Sequence, residues 1–468
     1  MTRRARMGSA ASEFEAASLG DKRLDRRLVK IGERLSAAPE DSFPKLATTE
    51  AEREAMYRFF QNDSIAYTDI LAPHIHATSE RCEHEGLVRI AHDTTSFAFK
   101  GEREGLGWVG RKEGFFAHFA LAVSQDESRA PLGVLGMQHF LKHHDAGATR
   151  REKHKKSREK GRRQKQSYRW VELAEQCEAE LEGRCTCIHV MDQEADDYAL
   201  FADLVQRQCR FVIRGSSGRR TAARPDKVQD KLEGSSSSAF RTVGIGRRIK
   251  TRGGHNARRE REATLRIRGG RVTLRRPEWS HATNATVELN VVQVFEPDPP
   301  DGEEPISWTL YTTEKIDTDK EMVAVVDHYR ARWRIEELFK SLKTGCAFEK
   351  RQLATLDGLL RALAVFAPIA WRLLALRAMS RMPEQVKAKT LFDDVQLHVI
   401  RTLAQGCELP RAPTARQVML AIARIGGHIQ SNGEPGWIVL GRGYADFLKA
   451  EVGFRAALAL MQRNGGKM

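Results

Sequence analysis

The stretch from Thr318 to Gly345 constrains this chain most, because it reads as one long helix. Thr318-Asp319-Lys320-Glu321 is a capping box that opens it, Gly345 closes it, and no Pro or Gly intervenes. At about 100° per residue, Tyr329, Arg332, Glu336, Lys340 and Lys343 fall on one side of the helix wheel. Ile335, Leu338, Phe339 and Leu342 fall on the other, so the polar stripe has an apolar back that anchors it to a core. Two readings follow from the wheel. Either the stripe is a solvated face on which Glu336 pairs Arg332 and Lys340 at helical spacing, or it is a working face with one carboxylate among cations and an aromatic.

Charge favours a polyanionic partner. The chain has 468 residues, 41% of them hydrophobic, and a net charge of +15. That length predicts two or three domains of soluble globular protein. Residues 150–169 hold eleven Lys or Arg against two acids, and residues 241–276 hold thirteen against two. These two excesses together exceed the whole-chain charge, so the remainder is net acidic. Two stretches are therefore candidates to meet phosphate backbones. Lys155, Lys156, Arg162 and Arg163 carry the first. No run of about 18 apolar residues is free of charges, and no signal-peptide core follows the basic N-terminus, which predicts a cytoplasmic protein with no membrane partner. The seven cysteines include no C-x-x-C pair, and the fifteen histidines form no H-E-x-x-H unit. Neither structural zinc nor disulfides are expected, and Cys185 and Cys187 read as small core residues on one face of a strand.

Two strands close on carboxylates. Leu87–Asp93 is a short apolar run ending at Asp93, and Cys185–Asp192 is a second ending at Asp192. Glu194, Asp196 and Asp197 compete with Asp192, but a side chain at a strand end projects from the rim of a parallel sheet. Gly105–Gly110 matches G-x-G-x-x-G, yet it precedes a strand-like run and so does not read as a dinucleotide site. Further strands are predicted at Phe116–Ser124, Gly133–Leu141 and Arg210–Gly215, with a helix near Tyr168–Leu181. Between about 216 and 315 the pattern alternates, with strands at Thr264–Ile267, Val287–Phe295 and Trp308–Thr312; Glu288 and Glu296 read there as surface residues. Residues 1–70 read as helical, and the chain is helical again after Gly345, with a boundary at Pro383.

Tyr329-x2-Arg332-x3-Glu336-x6-Lys343 resembles the signature of DDE transposases of bacterial cut-and-paste insertion sequences, the insertion-sequence-four branch that includes the transposon five transposase. Asp93-Thr94-Thr95 resembles that family's first catalytic segment. Asp192-Gln193-Glu194-Ala195-Asp196 resembles its second, with Gln193 in place of the usual Arg. Leu19–Leu24, Ala55–Phe60, Ala412–Gln417, Ala421–His428 and Trp437–Tyr444 resemble its terminal domains. The resemblance implies an α/β fold: a ribonuclease-H-like catalytic core over 71–382 with a β-strand insertion at about 216–315. A helical DNA-end-binding domain (1–70) and a helical C-terminal dimerisation domain (383–468) flank it. It further implies Asp93, Asp192 and Glu336 as the catalytic, metal-binding carboxylates, holding two Mg²⁺ ions or Mn²⁺. Tyr329, Arg332, Lys340 and Lys343 would hold phosphates of the transposon end, Arg214 would lie near that end, and Trp308 would stack on a flipped base. The implied partners are transposon-end and target double-stranded DNA and a second copy of the chain in the synaptic complex; the implied site of action is the bacterial nucleoid. The implied reaction cleaves through a hairpin and transfers 3′ ends into the target. A structure-selective nuclease on the same core and a non-catalytic DNA-binding regulator are the alternatives.

Overall fold

Apolar alternation on both sides of the segments after residue 86 builds a large mixed sheet with helices on each face. The computed structural model describes residues 10–143, 166–235, 239–246, 259–280, 282–382 and 386–465. Its strands are β1 (Leu87–Ala98), β2 (Gly107–Val109), β3 (Lys112–Ser124), β4 (Pro131–Phe140), β5 (Thr186–Met191), β6 (Phe211–Gly215), β7 (Ala239–Ile245), β8 (Arg261–Arg275), β9 (Thr286–Phe295) and β10 (Ser307–Thr312). They lie in the order β2-β3-β1-β5-β6-β10-β9-β8-β7, with β4 also on β3. β1, β5 and β6 run parallel; every other pairing is antiparallel. The strands of residues 239–312 continue the same sheet as β1 and β5. The Gly105–Gly110 stretch turns β2 back onto β3 as a hairpin, not into a helix.

The helices are α1 (Lys22–Ala37), α2 (Phe43–Leu46), α3 (Glu50–Phe60), α4 (Tyr67–Glu83), α5 (Arg169–Leu181), α6 (Tyr198–Gln206), α7 (Val228–Glu233), α8 (Asp319–Ala331), α9 (Trp333–Lys340), α10 (Leu356–Ser380), α11 (Asp394–Leu403), α12 (Ala415–Ile425) and α13 (Trp437–Gly465). One sheet face takes α8, α9 and α10: Ala91, Phe97 and Phe119 join Ile335, Leu338 and Leu363 in one core, and Val190, Val212 and Leu310 join Val325 and Tyr329 in the next. The opposite face takes α5 and α6, with Ile90, Cys187 and Leu173 in one cluster and Met191, Ile213 and Phe201 in another. α10 is long and apolar enough to cross a membrane by composition, but it is wholly buried inside the protein.

α1 buries Leu28, Ile31 and Leu35 and leaves its basic residues outside. Two buried arginines tie this N-terminal group of helices to the sheet domain. Arg361 on α10 donates to the carbonyls of Ile65 (2.7 Å) and Phe60 (2.9 Å), and Arg351 donates to that of Pro39 (3.0 Å). Each satisfies loop carbonyls that burial would otherwise orphan. At the other end α12 and α13 approach so closely that a Cβ on Gly426 would land on the Val439 carbonyl oxygen, so glycine is required there.

Three expectations need correction. The Thr318 capping box is present, but the helix it opens does not run unbroken to Gly345. At Arg332 it tightens, with Arg332 N bonding Tyr329 O and Ile335 N bonding Arg332 O, and at Ser341–Gly345 it widens so that Cys346 N reaches Ser341 O. β1 does not end at Asp93: Thr94 to Ala98 stay paired with β3, because threonine and phenylalanine there suit a pleated strand as well as a turn. Glu296 is not a surface residue; it is buried in an ion pair with Arg261. Pro383 and most of the basic segment 150–169 lie outside the described residues.

Candidate active site

Strand register brings the first two carboxylates together. β1 and β5 pair in parallel up to Ala91 and Val190, and β5 stops at Met191. Asp93 and Asp192 are each two residues beyond that last pair. At this point β1 keeps its β3 neighbour, Asp93 opposite Phe119, but has lost its β5 neighbour. Asp192 caps the short turn that follows, its Oδ1 accepting from Glu194 N at 2.9 Å.

Glu336 arrives from the helix layer. Arg332 Nη1 donates to Asp93 Oδ2 at 2.7 Å, and its Nη2 donates to Glu336 Oε1 at 2.7 Å. The tightened turn at Arg332 is thus the point where one guanidinium reaches both a strand carboxylate and a helix carboxylate. Asp93 is only 9% exposed and also accepts from Thr94 N at 2.7 Å. Burial pushes its carboxyl from the ordinary 3.8 up to about 7; Arg332 pulls it down, and the charges of Asp192 and Glu336 push it up again. Asp192 and Glu336 are therefore close enough to oppose its ionisation. Despite burial, Tyr329, Asp93 and Glu336 hold the Arg332 guanidinium above its usual value.

The other predicted residues divide. Tyr329 is buried, and its ring lies 5.4 Å from that of Trp308, which is half-buried on β10. Arg214 on β6 and Trp308 on β10 have the same parity as the neighbouring Val212 and Leu310, which lie under α8. Lys340 is exposed one turn after Glu336, with its Nζ 5.8 Å from the ring of Trp333. Lys343 turns inward over Phe97 at 5.6 Å, where burial lowers its ammonium and Glu349 partly offsets that. The rivals of Asp192 are otherwise engaged: Glu194 pairs Arg169, Asp196 holds Arg219 and the amide of Ser216, and Asp197 caps α6 at Ala199 N.

Two residues were not singled out from sequence. Arg169, at the first turn of α5, donates to Thr94 Oγ1 at 3.3 Å and pairs Glu194 at 3.4 Å. It places a cation beside the segment in which Gln193 replaces an expected arginine. Its signal was its place at the end of the basic run. Trp333 is 56% exposed beside Arg332, on the same helix as Glu336.

The donors on this face are carboxylate oxygens, with no thiol or imidazole singled out among them. Mg²⁺ and Mn²⁺ prefer such oxygens, whereas zinc prefers nitrogen and sulfur. A buried carboxyl raised by two acidic neighbours is a place where a cation gains most. The residues therefore fit a hard divalent ion.

Residues 6–65 match the family model described as Transposase DNA-binding, and residues 165–367 match that described as Transposase DDE domain. Both matches are to transposase domains. The DDE match includes Asp192 and Glu336, while Asp93 lies before it and joins them through the β1–β5 register and Arg332. DDE transposase domains generally use divalent metal ions. A cryo-EM structure of the piggyBac transposase synaptic complex with hairpin DNA is similar over 91% of this chain and 77% of that one, at 9% identity and a TM-score of 0.36. A likeness that low carries no argument about activity.

Proposed function

We propose that this protein is a cut-and-paste DNA transposase of the insertion-sequence-four branch. It binds the terminal repeats of its element, cleaves through a hairpin and joins the 3′ ends to target DNA. The observation that carries this reading is the guanidinium of Arg332, bound at once to Asp93 and Glu336 where β5 ends at Asp192. The sheet from β4 through β3 and β1 to β5 and β6 supports a ribonuclease-H-like core, and β7 to β10 support the strand insertion.

Asp93, Asp192 and Glu336 would hold Mg²⁺ or Mn²⁺, two ions in all. Held by these carboxylates, such ions would supply activation of a water or 3′-hydroxyl and charge neutralisation at phosphorus. Burial raises the Asp93 carboxyl to about 7, so a cation held there would favour its ionised form. Arg332, once exchanged from the carboxylates, is placed to hold a phosphate, as is exposed Lys340. Arg214, and Lys343 if it leaves its place over Phe97, would add cations to that contact. Trp308, backed by Tyr329, offers a flat apolar surface for a base turned out of the helix. A second copy of the chain completes the synaptic complex, and the reaction takes place in the cytoplasm at the nucleoid.

The test is cleavage of a DNA fragment bearing the element's own ends, with Mg²⁺, by wild type and by Asp93→Ala, Asp192→Ala and Glu336→Ala. Hairpinned or joined ends from wild type alone, with every variant still binding, are expected. Variants that cut as wild type does would remove the site assignment. A wild type that binds its ends and never cuts would make this chain a DNA-binding regulator.

A further inference from the structure

A second constellation of ligand-type side chains lies on the opposite face of the sheet, and the transposase reading does not use it. Glu178 on α5 and Cys187 and His189 on β5 present ligand atoms that all lie within 4.8 Å of one another. Cys187 and His189 are two residues apart on one strand and so share a face. His189 Nε2 is 3.2 Å from Glu178 Oε1 and 3.7 Å from Cys187 Sγ. In a tetrahedral zinc site with bonds of about 2.0–2.3 Å, neighbouring donor atoms stand roughly 3.3–3.8 Å apart. The observed spacings agree with that edge length.

A fourth donor stands close by. β5 and β6 pair in parallel with His189 opposite Phe211, and Cys209 lies two residues before Phe211, just ahead of β6 and outside the three residues whose ligand atoms converge. Cys209 is 4% exposed and has the same parity as Phe211 and Ile213, which face α5 and α6. The surroundings are those of a ligating histidine. His189 Nδ1 and His92 Nε2 share a hydrogen bond of 2.8 Å, and both rings are fully buried. Ligation at Nε2 would fix the His189 proton on Nδ1, donated to His92, the usual way an outer partner orients such a ring. His92 Nδ1 is itself buried with no hydrogen-bond partner, an unpaired polar atom of the kind that demands an explanation. The Glu178 side chain is 40% exposed, which supplies an entry path.

We propose that Glu178, Cys187, His189 and Cys209 form a tetrahedral zinc site that clamps α5 to β5 and β6. Its ligands are mixed sulfur, nitrogen and oxygen, the set that selects Zn²⁺ over Mg²⁺. Binding releases the two thiol protons to solvent. Sequence spacing predicts no zinc here, because the four residues form no short-spaced motif; the sheet brings them together. The clamp acts on the strand that ends at Asp192, so it supports the position of that carboxylate without touching DNA.

The test is titration of the full-length, metal-stripped protein with Co²⁺ under reducing conditions, followed by visible absorption. One equivalent should give the thiolate charge-transfer and tetrahedral d–d bands; Zn²⁺ should displace it and Mg²⁺ should not. Cys187→Ser and His189→Gln should each weaken binding at least tenfold, whereas Cys346→Ser, a buried thiol elsewhere, should not. Zinc loading should also raise the melting temperature of wild type. Absence of the bands in wild type at one equivalent overturns the proposal whether or not any variant folds, and so does an unchanged band and affinity in Cys187→Ser.

Discussion

His92 and Asp93 are consecutive on β1, yet they stand in opposite chemistries. Asp93 faces the helix layer of α9 and meets Arg332, with the charges of Asp192 and Glu336 nearby. His92 faces α5 and meets His189, His118 and Trp170, all fully buried. Burial together with its histidine neighbours holds His92 well below its usual value, so the buried centre of this face is neutral and dry. The difference teaches that strand alternation alone separates an acidic face, on which carboxylates meet a guanidinium, from a packed face that fixes the strand beneath it.

The comparison is broken most sharply by the carboxylates. Asp93→Ala, Asp192→Ala and Glu336→Ala should each lower metal-dependent cleavage of end-bearing DNA by about a thousandfold or more, roughly 4 kcal/mol of barrier. Thermal melts should show these variants folded. Variants that lose folding instead would make the acidic face a structural one.

Trp170 tests the dry face. Its ring centre is 4.2 Å from that of His118, and Trp170→Ala removes the centre of that packing. A loss of about 3 kcal/mol in urea unfolding is expected from the cavity alone. DNA binding by the fraction that stays folded should be unchanged.

Arg332 sharpens the contrast through pH. It lowers the Asp93 carboxyl, so Arg332→Gln should move the acid limb of the cleavage profile upward by about one pH unit, or about 1.4 kcal/mol. His92→Gln should leave that limb in place. A limb that follows His92 would mean that the two faces titrate together.

The smallest effect is on stability. Asp93 binds its proton more tightly folded, at about 7, than unfolded, at 3.8, so its contribution is lost as pH rises between those values. Asp93→Asn should therefore stabilise the protein by about 1 kcal/mol at pH 8, after the Arg332 pairing it gives up, and by nothing near pH 3. Denaturant midpoints at the two pH values give both numbers.

Much of the acidic face was legible in advance because its residues are close in sequence or end a recognisable apolar run. Tyr329 to Lys343 declared themselves by helical spacing, and Asp192 by the strand it terminates. Arg169 was hidden inside a basic run, where charge alone cannot tell a phosphate contact from a side chain that turns back on Thr94. Glu296 was misread because alternation says which side a residue faces, and not that Arg261 waits on the neighbouring strand. The break at Arg332 was invisible because its backbone stays helical, and one of the two carboxylates its side chain bonds there, Asp93, is 239 residues away in sequence.

By itself the sequence determined the local elements: the capped helix at Thr318, the apolar runs of β1 and β5 and the alternating strands after residue 239. Hydrophobic period and capping are properties of neighbours, so they are written locally. Tertiary structure alone decided which carboxylate meets which cation, and that Glu178, Cys187 and His189 converge. Strand register and helix docking set those distances, and both depend on contacts between residues far apart in the chain, where no local period reaches.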